Sequence, residues 1–221
     1  PFRGAVPRSN ETSPRASCPA PERGRRCPPG TAVNFHLSED QLLLKDNVER
    51  FLAAEYGFQR RRALLEAGGH SAEVWQALAG LGLLGAQLPE EYGGFGGGGI
   101  EAMVIMEAFG RHLVLEPFVG TAIVGAYLLQ AMPEASRGEL AALLGEGRLR
   151  LAFADAAAEG CDPLRLRTRA RRSGDGWSLE GTKTVVSGGA VADRFFVAAR
   201  SSGVDGEGRG ISLFLVPRAA P

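Results

Sequence analysis

Cysteine is scarce in this chain: three residues in 221, Cys18, Cys27 and Cys161. Two of them fall in a proline- and arginine-rich leader. No disulfide framework is implied, and a reducing, cytoplasmic compartment is expected. Histidine is as rare, and His36, His70 and His112 have no partner at metal-ligand spacing. There is no excess charge of either sign, with 25 basic residues against 25 acidic ones. That balance argues against nucleic acid or an anionic membrane as the main partner. No uninterrupted apolar run approaches the ~20 residues that a membrane span needs. A G-x-S-x-G nucleophile elbow is also missing, and no Cys-His pair suggests itself.

What is present begins with a leader. Residues 1–33 hold seven of the chain's 13 prolines and six arginines against two glutamates. Such a segment buries too little apolar surface to offset its ordering entropy, so a disordered leader is expected. Its Arg-rich, acid-poor composition is that of a transit peptide, but the prolines forbid the amphipathic helix such peptides need. The chain opens on Pro1 rather than Met, which is expected of a fragment or a processed product.

With 44% hydrophobic residues, the rest can bury a core. Ser38-Glu39-Asp40-Gln41 is a capping box, and Leu44, Val48, Phe51 and Leu52 form an apolar face behind it. Further helices are expected over 58–67, from Ser71 through Val74, Trp75, Leu78 and Leu81, and over 100–111, 118–132 and 134–144. Pro117 and Pro133 mark joints. Met103 and Met106, with Val104 and Phe109, read as core.

From Leu149 the pattern changes. Arg165, Arg167, Arg169 and Arg171 alternate with Leu166, Thr168 and Ala170, and turn signals separate WSLEG, KTVVS, RFFVAAR and ISLFLVP. The expected fold class is therefore α+β: an all-helical part over 34–147, then a small antiparallel β-domain, a barrel or sandwich, over 148–221. Gly94, Gly96 and Gly99 fit G-x-G-x-x-G, but the preceding Leu88-Pro89-Glu90-Glu91-Tyr92 is not a strand. The run reads as a flexible connection rather than a phosphate cradle.

Five blocks carry a resemblance. Phe35-His36-Leu37-Ser38-Glu39-Asp40-Gln41, Gly82-Leu83-Leu84-Gly85 leading into Leu88-Pro89-Glu90-Glu91-Tyr92-Gly93-Gly94, Gly181-Thr182-Lys183, Ala192-Asp193, and Gly210 through Pro217 occur in the order found in the acyl-CoA dehydrogenase family. From Asn34 onward the chain resembles that family. Phe95-Gly96-Gly97-Gly98 and Val114-Leu115-Glu116-Pro117 are most similar to its pimeloyl-CoA dehydrogenase small-subunit branch.

The resemblance implies a helical N-terminal domain and a middle β-barrel, with the family's C-terminal four-helix domain, and the base it carries, absent from this chain. It implies an oxidoreductase of fatty acid metabolism that uses FAD. A carboxylate removes the α-proton of an acyl-CoA thioester, and the β-hydrogen leaves as hydride to the flavin. It also implies a homo- or hetero-oligomer and an electron-transfer flavoprotein as electron acceptor. No catalytic residue is expected within this chain.

For the cofactor, the family's Trp-Ile-Thr/Ser segment falls on Val185, Val186 and Ser187. Its Thr-Glu-Pro and Gly-Ser-Asp segments fall on Asp155-Ala156-Ala157 and Gly160-Cys161-Asp162. Ser187, Gly160 and Asp162 match, whereas Asp155, Ala156, Ala157, Cys161 and Val185 depart. Residues expected at the flavin are thus Asp155, Gly160, Cys161, Val185, Val186 and Ser187. Read from the residues alone, Val185 to Ser187 simply end a barrel strand. The departures leave two functions open: an FAD-dependent dehydrogenase subunit, or a non-catalytic partner subunit that keeps the fold and binds flavin weakly or not at all.

Overall fold

The computed structural model describes residues 36–155 and 162–220; the leader lies outside the described residues. Helix α1 (Glu39–Glu55) starts at the capping box, where Ser38 Oγ accepts from the Gln41 amide and Gln41 Oε1 accepts from the Ser38 amide. Gln41 also donates through Nε2 to Glu101 Oε1 at 2.7 Å, which ties the start of α1 to the start of α4 (Gly99–His112). Between them lie α2 (Phe58–Glu66), α3 (Ala72–Gly80) capped by Ser71, and a 3-10 turn over Glu90–Tyr92.

The glycine run is not a loose connection. Gly96 and Gly97 donate to the carbonyls of Leu88 and Ala86, and a Cβ on Gly94 would stand 2.0 Å from the Leu88 oxygen. Only glycine lets these backbones approach so closely.

The helix expected over 118–132 is divided. Val119–Gly125 is a π-helix and Ala126–Gln130, α5, is α-helical; α6 (Glu134–Gly145) follows Pro133. A π-helix carries no distinct apolar period, so the pattern alone predicts one ordinary helix.

The second half contains β1 (Leu151–Ala154), β2 (Arg169–Ser173), β3 (Gly176–Glu180), β4 (Arg194–Arg200) and β5 (Ile211–Pro217). Their sheet corrects the expected antiparallel barrel or sandwich. It is mixed, and among the described residues no closed barrel forms. β1 and β2 run parallel to successive parts of one edge of β4, while β5 covers the other edge antiparallel and β3 pairs antiparallel with β2. The physical reason is connection length. Among the described residues, only β2–β3 and β4–β5 are hairpins. The longer stretches after β1 and after β3 let the chain return in its original direction. Leu166, Thr168 and Ala170 are buried between exposed or half-exposed arginines, as the alternation requires, although strand pairing begins only at Arg169.

One core spans both halves. Helical side chains including Leu52, Leu78, Ile105, Phe118 and Leu144 pack with Leu149, just before β1, and with Leu151 and Phe196 of the sheet. A smaller cluster of Ala170, Ala199 and Phe214 lies under Trp177. No helix among the described residues is long and apolar enough to cross a membrane.

Candidate functional site

The π-helix packs on β1. Thr121, fully buried, donates through Oγ1 to the Leu151 carbonyl and accepts from the Leu151 amide, both at 3.0 Å. One side chain thereby satisfies both main-chain groups at the start of the strand. Just before β1, the Asp193 carboxylate accepts from the Arg150 amide at 2.8 Å and from its guanidinium at 3.3 Å, while Arg218 donates to the carbonyls of Ala192 and Gly189. The β4 start and the turn preceding it are thus fixed against β1.

Glu116 anchors the opening of the π-helix. Its carboxylate is 7% exposed and accepts from Tyr56 Oη at 2.7 Å and from the Ser71 amide at 3.3 Å. Tyr56 is 2% exposed and accepts in turn from the Leu115 amide. Burial, and then the Glu116 carboxylate, push the Tyr56 hydroxyl pKa well above its ordinary range. A single buried pair therefore joins the end of α1, the start of α3 and the joint at Pro117.

Against this scaffold lies the segment that follows β3. At Gly181 it leaves the ladder, with room there only for glycine: φ is +146°, and a Cβ would stand 2.7 Å from Thr168 Cα. It then runs past the end of β1. Lys183 Nζ donates to the Asp155 carbonyl at 2.9 Å. Val185 takes φ 53°, a left-handed conformation costly for a β-branched residue, with 95% of its surface exposed. The following turn rests on the helical half: a Cβ on Gly188 would meet Pro117 Cβ at 2.9 Å, and one on Gly120 would lie 3.5 Å from the Ser187 carbonyl. A cavity of about 250 Å3, lined by His70, Glu116, Pro117, Gly120, Ser187 and Gly188 among others, sits at this contact.

Of the residues expected at the flavin, the structure brings Asp155 close to the segment that carries Val185, Val186 and Ser187, through Lys183. Asp155 and Ser187 are exposed and Val186 is half-buried. Gly160 and Cys161 lie outside the described residues. Reading Val185 to Ser187 as the end of a barrel strand is corrected: the segment is irregular, because Val185 reverses the backbone. Sequence reasoning noted Lys183 only within a motif. Its reach to Asp155 spans 28 positions and leaves no local signal.

The donor set suits an acceptor-rich planar ring. Among the described residues, no hydrogen bond uses the main-chain N–H of Thr184, Val185, Val186 or Ser187, and the Ser187 hydroxyl is likewise unengaged. Unpaired donors on exposed and half-buried residues, beside valine side chains, fit the polar edge and apolar face of a flavin. No group of three or more potential metal ligands occurs among the described residues.

Comparison with known proteins matches the two halves of the chain to two domain families. The acyl-CoA dehydrogenase N-terminal domain family matches residues 38–145 and the acyl-CoA dehydrogenase middle domain family matches residues 151–221. The chain belongs to the acyl-CoA dehydrogenase family. Acyl-CoA dehydrogenase FadE12 of Mycobacterium tuberculosis is 32% identical over 195 residues, which is 86% of this chain and 50% of that protein. Among solved structures, a variant of the Tcur3481–Tcur3483 steroid ACAD superposes with a TM-score of 0.73 at 31% identity, over 83% of this chain and 49% of its own. A glutaryl-CoA dehydrogenase from Mycobacterium smegmatis, solved in complex with FADH2, shares the fold with a TM-score of 0.70 at 24% identity, over 84% of this chain and 47% of its own. The chain spans about half the length of the curated relatives it matches.

Proposed function

We propose that this chain is the N-terminal and middle part of an FAD-dependent acyl-CoA dehydrogenase subunit, with residues 34–147 and 148–221 as its two domains and 1–33 as a leader. The flavin ring lies against the end of β1 and the Thr184–Ser187 segment. The observation that carries this reading is the convergence of Asp155 and the unpaired amides before Ser187 at the helix–sheet junction. Bound FAD would supply the acceptor for the hydride leaving the acyl β-carbon. This chain's residues would hold the ring: Thr184 to Ser187 through their amides, Ser187 through its hydroxyl, Val186 through apolar contact. The base that takes the α-proton lies outside this chain. Electron-transfer flavoprotein is the acceptor of the electrons, the assembly is a homo- or hetero-oligomer, and the compartment is cytoplasmic. The branch is that of the pimeloyl-CoA dehydrogenase small subunit.

Asp155 tests this directly. It stands where the family's threonine hydroxyl donates to the flavin N1–O2 edge, and an ionised carboxylate cannot donate. Two like charges at ~4 Å and an effective dielectric near 20 repel by on the order of 4 kcal/mol, an upper guide. Asp155→Thr in the full-length protein is expected to raise FAD occupancy or shift the flavin potential upward. If neither moves while the wild type already carries stoichiometric FAD, Asp155 is not beside the flavin.

The second reading, a non-catalytic partner subunit, is favoured by that same carboxylate and by Val185, whose small side chain covers less of a ring than the family's aromatic. A relative whose name pairs two proteins, Tcur3481–Tcur3483, is consistent with it. Purified full-length protein without flavin, which restores turnover only when mixed with another subunit, would establish it.

A further inference from the structure

Among the described residues, no strand pairing joins the two segments of the proposed flavin wall. β1 pairs with β4, and β3 pairs with β2. Past Glu180 the chain runs alongside the end of β1 without a ladder. What spans the gap is the Lys183 side chain, half-buried, whose ammonium donates to the Asp155 main-chain oxygen at 2.9 Å. Burial of the ammonium lowers its pKa from the ordinary lysine value, and the nearby charge of Asp155 opposes that shift. The cation is thus partly withdrawn from solvent and interacts with the charge of Asp155.

We infer that Lys183 is a positioning residue for the cofactor: its hydrogen bond to Asp155 holds the end of β1 against the Thr184–Ser187 segment, and its charge offsets that of Asp155 where the flavin edge would lie. The second half of this inference rests on the flavin reading; the first does not. The arrangement explains how an aspartate is tolerated at a position that gathers negative charge when a flavin is reduced. A fixed cation within a few ångströms lowers the local potential cost of that charge. It also explains why the segment keeps its irregular course with its own amides unpaired: the restraint comes from a side chain, so the amides stay available.

The test compares wild type, Lys183→Met and Lys183→Arg in the full-length protein in its native assembly. Hydrogen exchange over residues 151–155, whose strand pairs with β4, reads the clamp with or without cofactor. Lys183→Met is expected to speed exchange in this segment by about tenfold, because the end of β1 then opens without breaking the bond from Lys183. Lys183→Arg, which keeps a donor and the charge, is expected to stay near wild type. Flavin fluorescence and potentiometry read the charge: Lys183→Met weakens FAD binding about tenfold and lowers the midpoint potential, while Lys183→Arg preserves the potential. Unchanged exchange in Lys183→Met overturns the clamp. Unchanged affinity and potential in a variant whose wild type binds FAD overturn the charge role. A wild type that holds no FAD overturns the flavin reading, and the charge role with it, while the exchange data still decide the clamp.

Discussion

Thr121 and Val185 belong to the two sides of the helix–sheet junction and are held in opposite ways. Thr121 is fully buried on the π-helix and bonded twice to Leu151. Val185 is almost wholly exposed, sits at φ 53°, and is followed by amides that bond to nothing among the described residues. One side is a scaffold in which local rules agree. The other departs from them in the left-handed backbone of Val185, and its amides have no protein partner among the described residues. Breaches of that kind concentrate where a protein meets a ligand, because a site needs groups whose partners come from elsewhere.

The comparison can be broken most severely at the scaffold. Thr121→Val removes the hydroxyl that serves both Leu151 groups and leaves them buried. A loss of about 3 kcal/mol is expected, with Thr121→Ser restoring most of it, as read by chemical denaturation. Equal stability of all three would mean that water or a rearranged strand replaces the hydroxyl. Next comes Tyr56→Phe, which deprives the buried Glu116 carboxylate and the Leu115 amide of a partner. A loss of about 2 kcal/mol is expected, with denaturation again the measurement.

At Val185 the sign reverses. Val185→Gly relieves the left-handed strain and gives up almost no packing, so a gain of up to about 1 kcal/mol is expected, reduced by the freedom glycine adds to the unfolded chain. Destabilisation instead would show that Val185 is packed and the wall is not open.

The smallest effect concerns pH. The Gln41 side chain, followed by the Glu101 and Gly98 amides, holds the Glu101 carboxyl below the ordinary glutamate range. Because its folded pKa is depressed, this stabilisation is fully present above the unfolded value and is lost as pH falls through the folded one. Glu101→Gln is expected to lower stability slightly at neutral pH and to flatten the acid limb, so that the two stability curves converge as pH falls. A deeper acid sensitivity in the variant would overturn the sign.

Much of the helical half was legible because its signals are local. Ser38 and Ser71 cap helices where a hydroxyl three positions before an amide must, and Pro117 and Pro133 interrupt them for want of an N–H. The strands RFFVAAR and ISLFLVP were legible as apolar runs between turns, and they coincide with β4 and β5. Their partners were not. Whether a strand returns parallel or antiparallel depends on the path of the connection, which hydropathy does not record, and so the expected antiparallel barrel became a mixed sheet.

At the candidate site the chain by itself determined which residue types were on offer: an acid at 155, a lysine at 183, a hydroxyl at 187. Motif order pointed to the acyl-CoA dehydrogenase family. Only the tertiary structure decided that Lys183 reaches Asp155, that Glu116 and Tyr56 pair in the interior, and that Val185 turns outward. Each of those depends on contacts between residues tens of positions apart, or on a backbone angle imposed by such contacts, and neither leaves a periodicity in the sequence.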